Sequence, residues 1–154
     1  LFEGVPVDKN SAWFIRKKIA YVDQDVSISN GKILDFINFI SGLKANRSLD
    51  FGMTKVNELF NFFELNSDTL DKEIGQLSGG ERQRLAIVIA ILLERKVFLI
   101  DEGTSSLDKH LKKKVTDYFM GKKDWTCIVV SHDEIWLDSP DIKIFDMDGY
   151  RWRQ

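Results

Sequence analysis

Apolar residues change their spacing at a few places along this chain, and each change predicts an element. Two segments carry them three and four apart: Ile33, Phe36, Ile37, Ile40 and Leu43, then Val56, Leu59, Phe60 and Phe63. That period predicts two amphipathic helices, with the polar residues 44–52 as the loop between them. Leu107, Leu111, Val115 and Phe119 recur every four residues and predict a third helix facing the core. The uninterrupted run Leu85 to Leu93 predicts a helix buried all round, over 81–94. It falls well short of the roughly 20 residues that span a bilayer. Short apolar runs bounded by charge or turn residues predict strands at 18–22, 97–100 and 126–130. The run 97–100 suits a parallel strand covered on both faces, and 126–130 reads as a second buried run. Ser11 is placed to cap a short helix through Trp13 to Arg16, and 142–152 reads as a closing strand and hairpin around Asp148-Gly149.

Composition narrows the class. With 154 residues, 44% of them hydrophobic, the chain can bury one core and is one domain or most of one. A net charge of −2 leaves no electrostatic footprint for nucleic acid, and none is expected as a partner. Lys109, Lys112, Lys113 and Lys114 read as a solvated helix face, with an exposed His110 among them. The single cysteine, Cys127, lies in an apolar run and reads as a buried small residue, which fits a reducing compartment. No signal peptide is visible at Leu1-Phe2-Glu3, and there is no internal repeat.

Candidate chemistry concentrates in two places. Ser78 with Glu81 three residues on is a capping box at the start of the apolar helix. Gly79 and Gly80 keep side chains away from the positive helix end, so backbone N–H groups can meet an anion. Downstream, the strand Val97 to Ile100 delivers Asp101 and Glu102 at its carboxyl end, where open α/β sheets bind ligands. His132 follows the next strand and should reach the same rim.

Leu77-Ser78-Gly79-Gly80-Glu81-Arg82-Gln83-Arg84 resembles the signature motif of ATP-binding-cassette (ABC) ATPases. Val97 to Glu102 resembles the Walker B strand of that family, Ser105 to Asp108 its D-loop, Val129 to Asp133 its switch-histidine loop, and Tyr21 to Gln24 its Q-loop. The resemblance implies an α/β fold: a P-loop NTPase (RecA-like) core sheet with an inserted α-helical subdomain, N-terminally truncated. Residues 1–30 and 77–154 would belong to the ATPase core and 31–76 to the helical subdomain. It implies ATP and Mg²⁺ as ligands, with Asp101 and Gln24 toward the metal and Glu102 orienting the attacking water. His132 would contact the γ-phosphate, and Ser78, Gly79 and Gly80 would bind a partner cassette's nucleotide. Asp108 would communicate across the dimer interface.

The implied partners are a second nucleotide-binding domain and a transmembrane permease, which would hold the cassette on the inner, cytoplasmic face of a membrane. Phe39, Phe51 or Phe62, if exposed, are candidates for the permease contact. The chain departs from the family at Asp23 and Gly103, where proline is frequent. A larger departure is the missing Walker A loop, G-x-x-x-x-G-K-[ST]. Gly-Lys occurs only at Gly31-Lys32 and Gly121-Lys122, without the rest of the motif. The expectation is a cassette whose phosphate loop lies upstream, and a chain inactive alone. Two alternatives stay open: a soluble ABC ATPase of the translation or DNA-repair type, and a non-catalytic module that lacks Walker A.

Overall fold

A computed structural model describes residues 1–24, 30–138 and 142–153. The three expected apolar runs form β1 (Ile19–Val22), β2 (Val97–Asp101) and β3 (Thr126–Val130), all parallel and ordered β1-β2-β3. Register aligns Tyr21, Leu99 and Ile128 in one row across the sheet, and Val22, Ile100 and Val129 in the next. Successive rows point to opposite faces. Ala20, Val22, Phe98 and Ile100 therefore point into one hydrophobic core.

The expected burial of β3 fails on one of its faces. Ile128 and Val130 are each 58% exposed and Tyr21 is 56% exposed, so among the described residues that face is largely uncovered. A continuous apolar run cannot report how many of its faces have a covering layer. Cys127, on the inner side of β3, is half-buried, and burial pushes its thiol up to about 11, so it stays protonated near neutrality.

Five α-helices occur among the described residues: α1 (Ala12–Arg16), α2 (Ile33–Gly42), α3 (Met53–Phe62), α4 (Gly79–Leu92) and α5 (Lys109–Met120). The predicted stripes are the buried ones. Ile33, Ile37, Ile40, Val56, Leu59, Phe60 and Phe63 are buried, whereas Leu43 caps α2 and is exposed. Leu85, Ile87, Val88, Ala90, Ile91 and Leu92 bury most of α4 as expected, and the helix starts two residues earlier than read, on the glycines themselves. Phe98 of β2 meets Phe119 of α5 edge-on at 5.1 Å and stacks on Trp125 at 4.5 Å, joining sheet to helix. The loop 44–52 is not uniformly solvated. Asn46 is buried, donates to the Ile40 carbonyl at 3.0 Å and accepts from Arg95 at 2.9 Å. β4 (Ile144–Asp146) and β5 (Arg151–Arg153) form the expected terminal hairpin.

Two further readings are corrected. Ser11 makes no side-chain cap to α1; its hydroxyl donates to the Pro6 carbonyl at 2.6 Å, and Asp8 accepts from the Asn10 and Ser11 N–H groups. The lysine face of α5 is only partly solvated, because Lys112 pairs with Asp133 at 2.7 Å and Lys114 with Glu64 at 2.7 Å, both lysines being largely covered. His110 is exposed as expected and lies 2.9 Å from Glu64.

Candidate functional site

The carboxyl ends of the parallel strands gather the candidate residues along one rim. Asp101 is the last residue of β2, paired with Val130, and is half-buried. Glu102 then turns left-handed, with φ +49°. Its N–H donates to the Val130 carbonyl at 2.9 Å, which extends the ladder one step past β2. Its carboxylate, 14% exposed, accepts the His132 N–H at 3.1 Å. The His132 ring is fully exposed, with Nε2 at 3.8 Å from the same carboxylate oxygen. Gln24 stands two residues beyond Val22, which pairs with Ile100, so it lies at the same end of the sheet and is exposed. Asp23 beside it accepts from the Tyr21 hydroxyl at 3.4 Å. Three carboxylates thus mark this rim: Asp23, Asp101 and Glu102.

Among the described residues, no three histidine, cysteine, aspartate or glutamate side chains converge as a metal cage. The rim carboxylates Asp101 and Glu102 are of the donor type that magnesium takes, one or two carboxylates together with waters and substrate phosphates.

The predicted capping box is present at α4. Ser78 Oγ accepts from the Glu81 N–H at 3.3 Å, and Glu81 Oε2 accepts from the Ser78 N–H at 2.9 Å and from its hydroxyl at 2.7 Å. The N–H groups of Gly79 and Gly80 have no intrahelical partner, as at any helix start. Gly80 is also needed for packing: a Cβ there would stand 3.1 Å from the Ser106 carbonyl oxygen. The hydrogen bonds from the Ser78 side chain and backbone hold the Glu81 carboxyl below its usual range. The sign follows from linkage. A depressed carboxylate stabilises the fold above its unfolded pKa, and that stability is lost as pH falls through the folded value. Glu81→Gln keeps the box geometry without the charge, so it should flatten this acid-side loss. Thermal unfolding of both proteins between pH 3 and 6 (roughly one unit either side of a carboxylate's range) checks it; an unchanged profile contradicts the assignment.

Two residues at the site, Gln83 and Thr104, carry contacts the sequence did not single out. Gln83 is 1% exposed and bridges α4 to the rim. Its Nε2 donates to the Glu102 carbonyl at 2.9 Å and toward Ser105 Oγ at 3.4 Å, and its Oε1 accepts the Ser106 N–H at 2.9 Å. The signal was its spacing, since Gln83, Ile87 and Ile91 share the buried stripe. Thr104, also buried, donates to Asp133 Oδ2 at 3.1 Å, and Asp133 pairs with Lys112. Asp108 is the N-cap of α5, accepting from the Leu111 N–H at 2.9 Å. Arg84 reaches the other way, donating to the Phe63 and Glu64 carbonyls at 3.1 and 2.8 Å. Of the three aromatics, Phe39 is exposed, Phe62 is partly exposed and packed on Phe63 and Tyr118, and Phe51 is half-buried against the core. Phe51 is therefore no free contact residue.

Comparison with known proteins places this geometry among related chains. The sequence model of the family described as ABC transporter matches residues 1–105. The ATP-dependent lipid A-core flippase of Pseudoalteromonas atlantica is 32% identical over 146 residues, covering 92% of this chain and 25% of the flippase. A multidrug resistance ABC transporter ATP-binding and permease protein of Lactococcus lactis is 35% identical over 140 residues, covering 84% of this chain and 23% of that protein. The chain thus spans about a quarter of the length of these curated relatives. Among solved structures, a dimeric bacterial ABC transporter cassette superposes with a TM-score of 0.66 at 25% identity, covering 82% of this chain and 58% of that one.

Proposed function

The chain belongs to the ABC transporter family, and on that premise we propose that it is the signature-bearing part of a cassette that binds and hydrolyses ATP to drive a membrane permease. The observation that carries the reading is the placement of Glu102: a half-buried carboxylate at the rim of a parallel sheet, beside Asp101 and held by the His132 N–H. Residues 1–30 and 77–154 form the ATPase core, and 31–76 the helical subdomain. No helix among the described residues is long and apolar enough to cross a membrane. The permease is therefore a partner or another part of the same protein, and the cassette lies at the cytoplasmic face against it. One curated relative is named as an ATP-binding and permease protein, which favours this reading over a soluble translation or repair ATPase.

Each rim residue then has a role. Asp101 would hold magnesium through water, and Gln24 would approach the same ion with an amide that can donate and accept at once. The chemistry such an ion would supply there is positive charge against the phosphates. Glu102 accepts a hydrogen bond from the attacking water, orienting and polarising it toward the γ-phosphate, and the exposed His132 ring donates to that phosphate. The helix start at Ser78, Gly79 and Gly80 faces a second cassette's nucleotide, where unpaired N–H groups and the helix dipole favour an anion. Asp108, at the neighbouring helix start, lies on the side facing that second cassette.

Phosphoryl transfer of this kind also needs a glycine-rich loop with a lysine, and the 154 residues contain no such motif. ATP turnover is accordingly expected from the intact protein that supplies the loop, and none from the 154 residues alone. Steady-state phosphate release from both preparations tests this. Turnover by the chain alone removes the need for an external loop, and none by the intact protein removes the ATPase reading.

A further inference from the structure

We propose that Gln83 is a positioning residue that locks the signature helix to the turn carrying Glu102; the inference rests on the ATPase reading above. Three observations carry it. First, the amide is almost fully buried yet fully used, with both nitrogen contacts and the oxygen contact directed at the 102–106 turn. Second, Glu102 is held at φ +49°, a conformation that costs a non-glycine residue energy and persists only where its surroundings over-determine it. Three hydrogen bonds hold its peptide groups: the Glu102 N–H donates to the Val130 carbonyl on β3, and the Glu102 carbonyl accepts from the Ser105 N–H within the turn and from Gln83 on α4, the one bond that ties it to the signature helix. Third, Gln83 occupies a stripe that Ile87 and Ile91 fill with aliphatic side chains. An apolar residue would suit that stripe, so the polar choice is explained by the turn it holds.

The consequence is a rigid lever. Ser78 caps the same helix five residues upstream, about 7–8 Å along the axis at the rise of an α-helix. A displacement of the helix start by a neighbouring cassette's nucleotide is passed through Gln83 to the peptide of Glu102 and to the Ser106 N–H. The signature of one composite site and the water-orienting carboxylate of the other thus move together. Gly80, lying against the Ser106 carbonyl, closes the same contact at the helix end.

Two variants in the intact protein separate this from a merely structural role. Gln83→Met fills the stripe but leaves the Ser106 N–H without its partner and the Glu102 carbonyl with only the Ser105 N–H, at 3.0 Å. Gln83→Glu keeps an acceptor for Ser106 and loses the donor to Glu102. Both should lower kcat by about tenfold to a hundredfold, the scale of a small misplacement of a catalytic group, with nucleotide affinity within about twofold of wild type on that same argument. Amide exchange at Ser106 should be slow in wild type and in Gln83→Glu, and fast in Gln83→Met. Wild-type kcat in both variants overturns the proposal, as does a loss of kcat that only tracks loss of folded protein. Rapid Ser106 exchange in the wild type overturns it even if neither variant folds. A wild-type protein without turnover sinks the ATPase reading instead, and Ser106 exchange then decides the positioning claim by itself.

Discussion

Glu102→Gln is expected to lower ATP turnover by about 10²–10⁴-fold, the range that general-base assistance contributes, while nucleotide binding persists. Glutamine has nearly the volume of glutamate and keeps a carbonyl oxygen that can accept the His132 N–H, now at 3.1 Å from the carboxylate. The backbone bonds to Val130 and Gln83 do not involve the side chain at all. The fold and the left-handed turn should therefore survive, and only the charge that polarises water is lost. Stability of the variant should match wild type within a few tenths of a kcal/mol, as for a substitution that breaks no packing. Because hydrolysis no longer reopens the pair, the ATP-bound variant should accumulate as a dimer of cassettes, read by size-exclusion chromatography with and without ATP. Turnover within a few-fold of wild type would show that Glu102 is not the water-orienting group.

Much of this arrangement was legible in the chain because it is written in local patterns. The S-x-x-E box at Ser78, the four-residue repeat of α5 and the apolar run ending at Asp101 each need only a few neighbours to be read. What escaped depends on residues far apart. Lys114 reads as solvated until Glu64, 50 positions away, is brought to it by the fold. Lys112 and Asp133 are 21 positions apart and meet only because α5 packs beside the segment that follows β3. The exposed face of Ile128 and Val130 has the same origin, since strand sequence sets which side chains share a face but not what lies over it. Gln83 is the instructive case. Its helical register with Ile87 and Ile91 was present in the sequence, but the polar neighbours Glu81, Arg82 and Arg84 masked it. A buried glutamine in an apolar stripe is a sign of backbone groups that need partners nearby.

Gly103→Ala is expected to destabilise the protein by about 1–3 kcal/mol, the usual cost of inserting a methyl group into a filled space. The position is buried, and a Cβ built there would lie 2.5 Å from Ile100 Cγ2 and 3.1 Å from Val22 Cγ1. Replacing glycine normally helps by restricting the unfolded chain, worth about 0.4–1 kcal/mol where the native backbone accepts it. Here the overlap outweighs that gain, because both obstructing atoms belong to β-branched side chains with stiff χ1 angles. Relief must then come from the backbone of β1 or β2. Glycine at this position is thus a close-packing residue and not a slack one. Gly103→Pro should cost at least as much, since proline also restricts the residue before it, and that residue is the left-handed Glu102. Thermal unfolding should show the loss as a lower Tm, roughly 2–4 °C per kcal/mol for a chain of this size. Any shift of Ile100 also moves Asp101, the next residue on β2, so ATP turnover should fall more steeply than stability alone accounts for at temperatures where the variant is folded. A Gly103→Ala protein as stable as wild type would show that β1 and the 102–104 turn are not in the close contact described here.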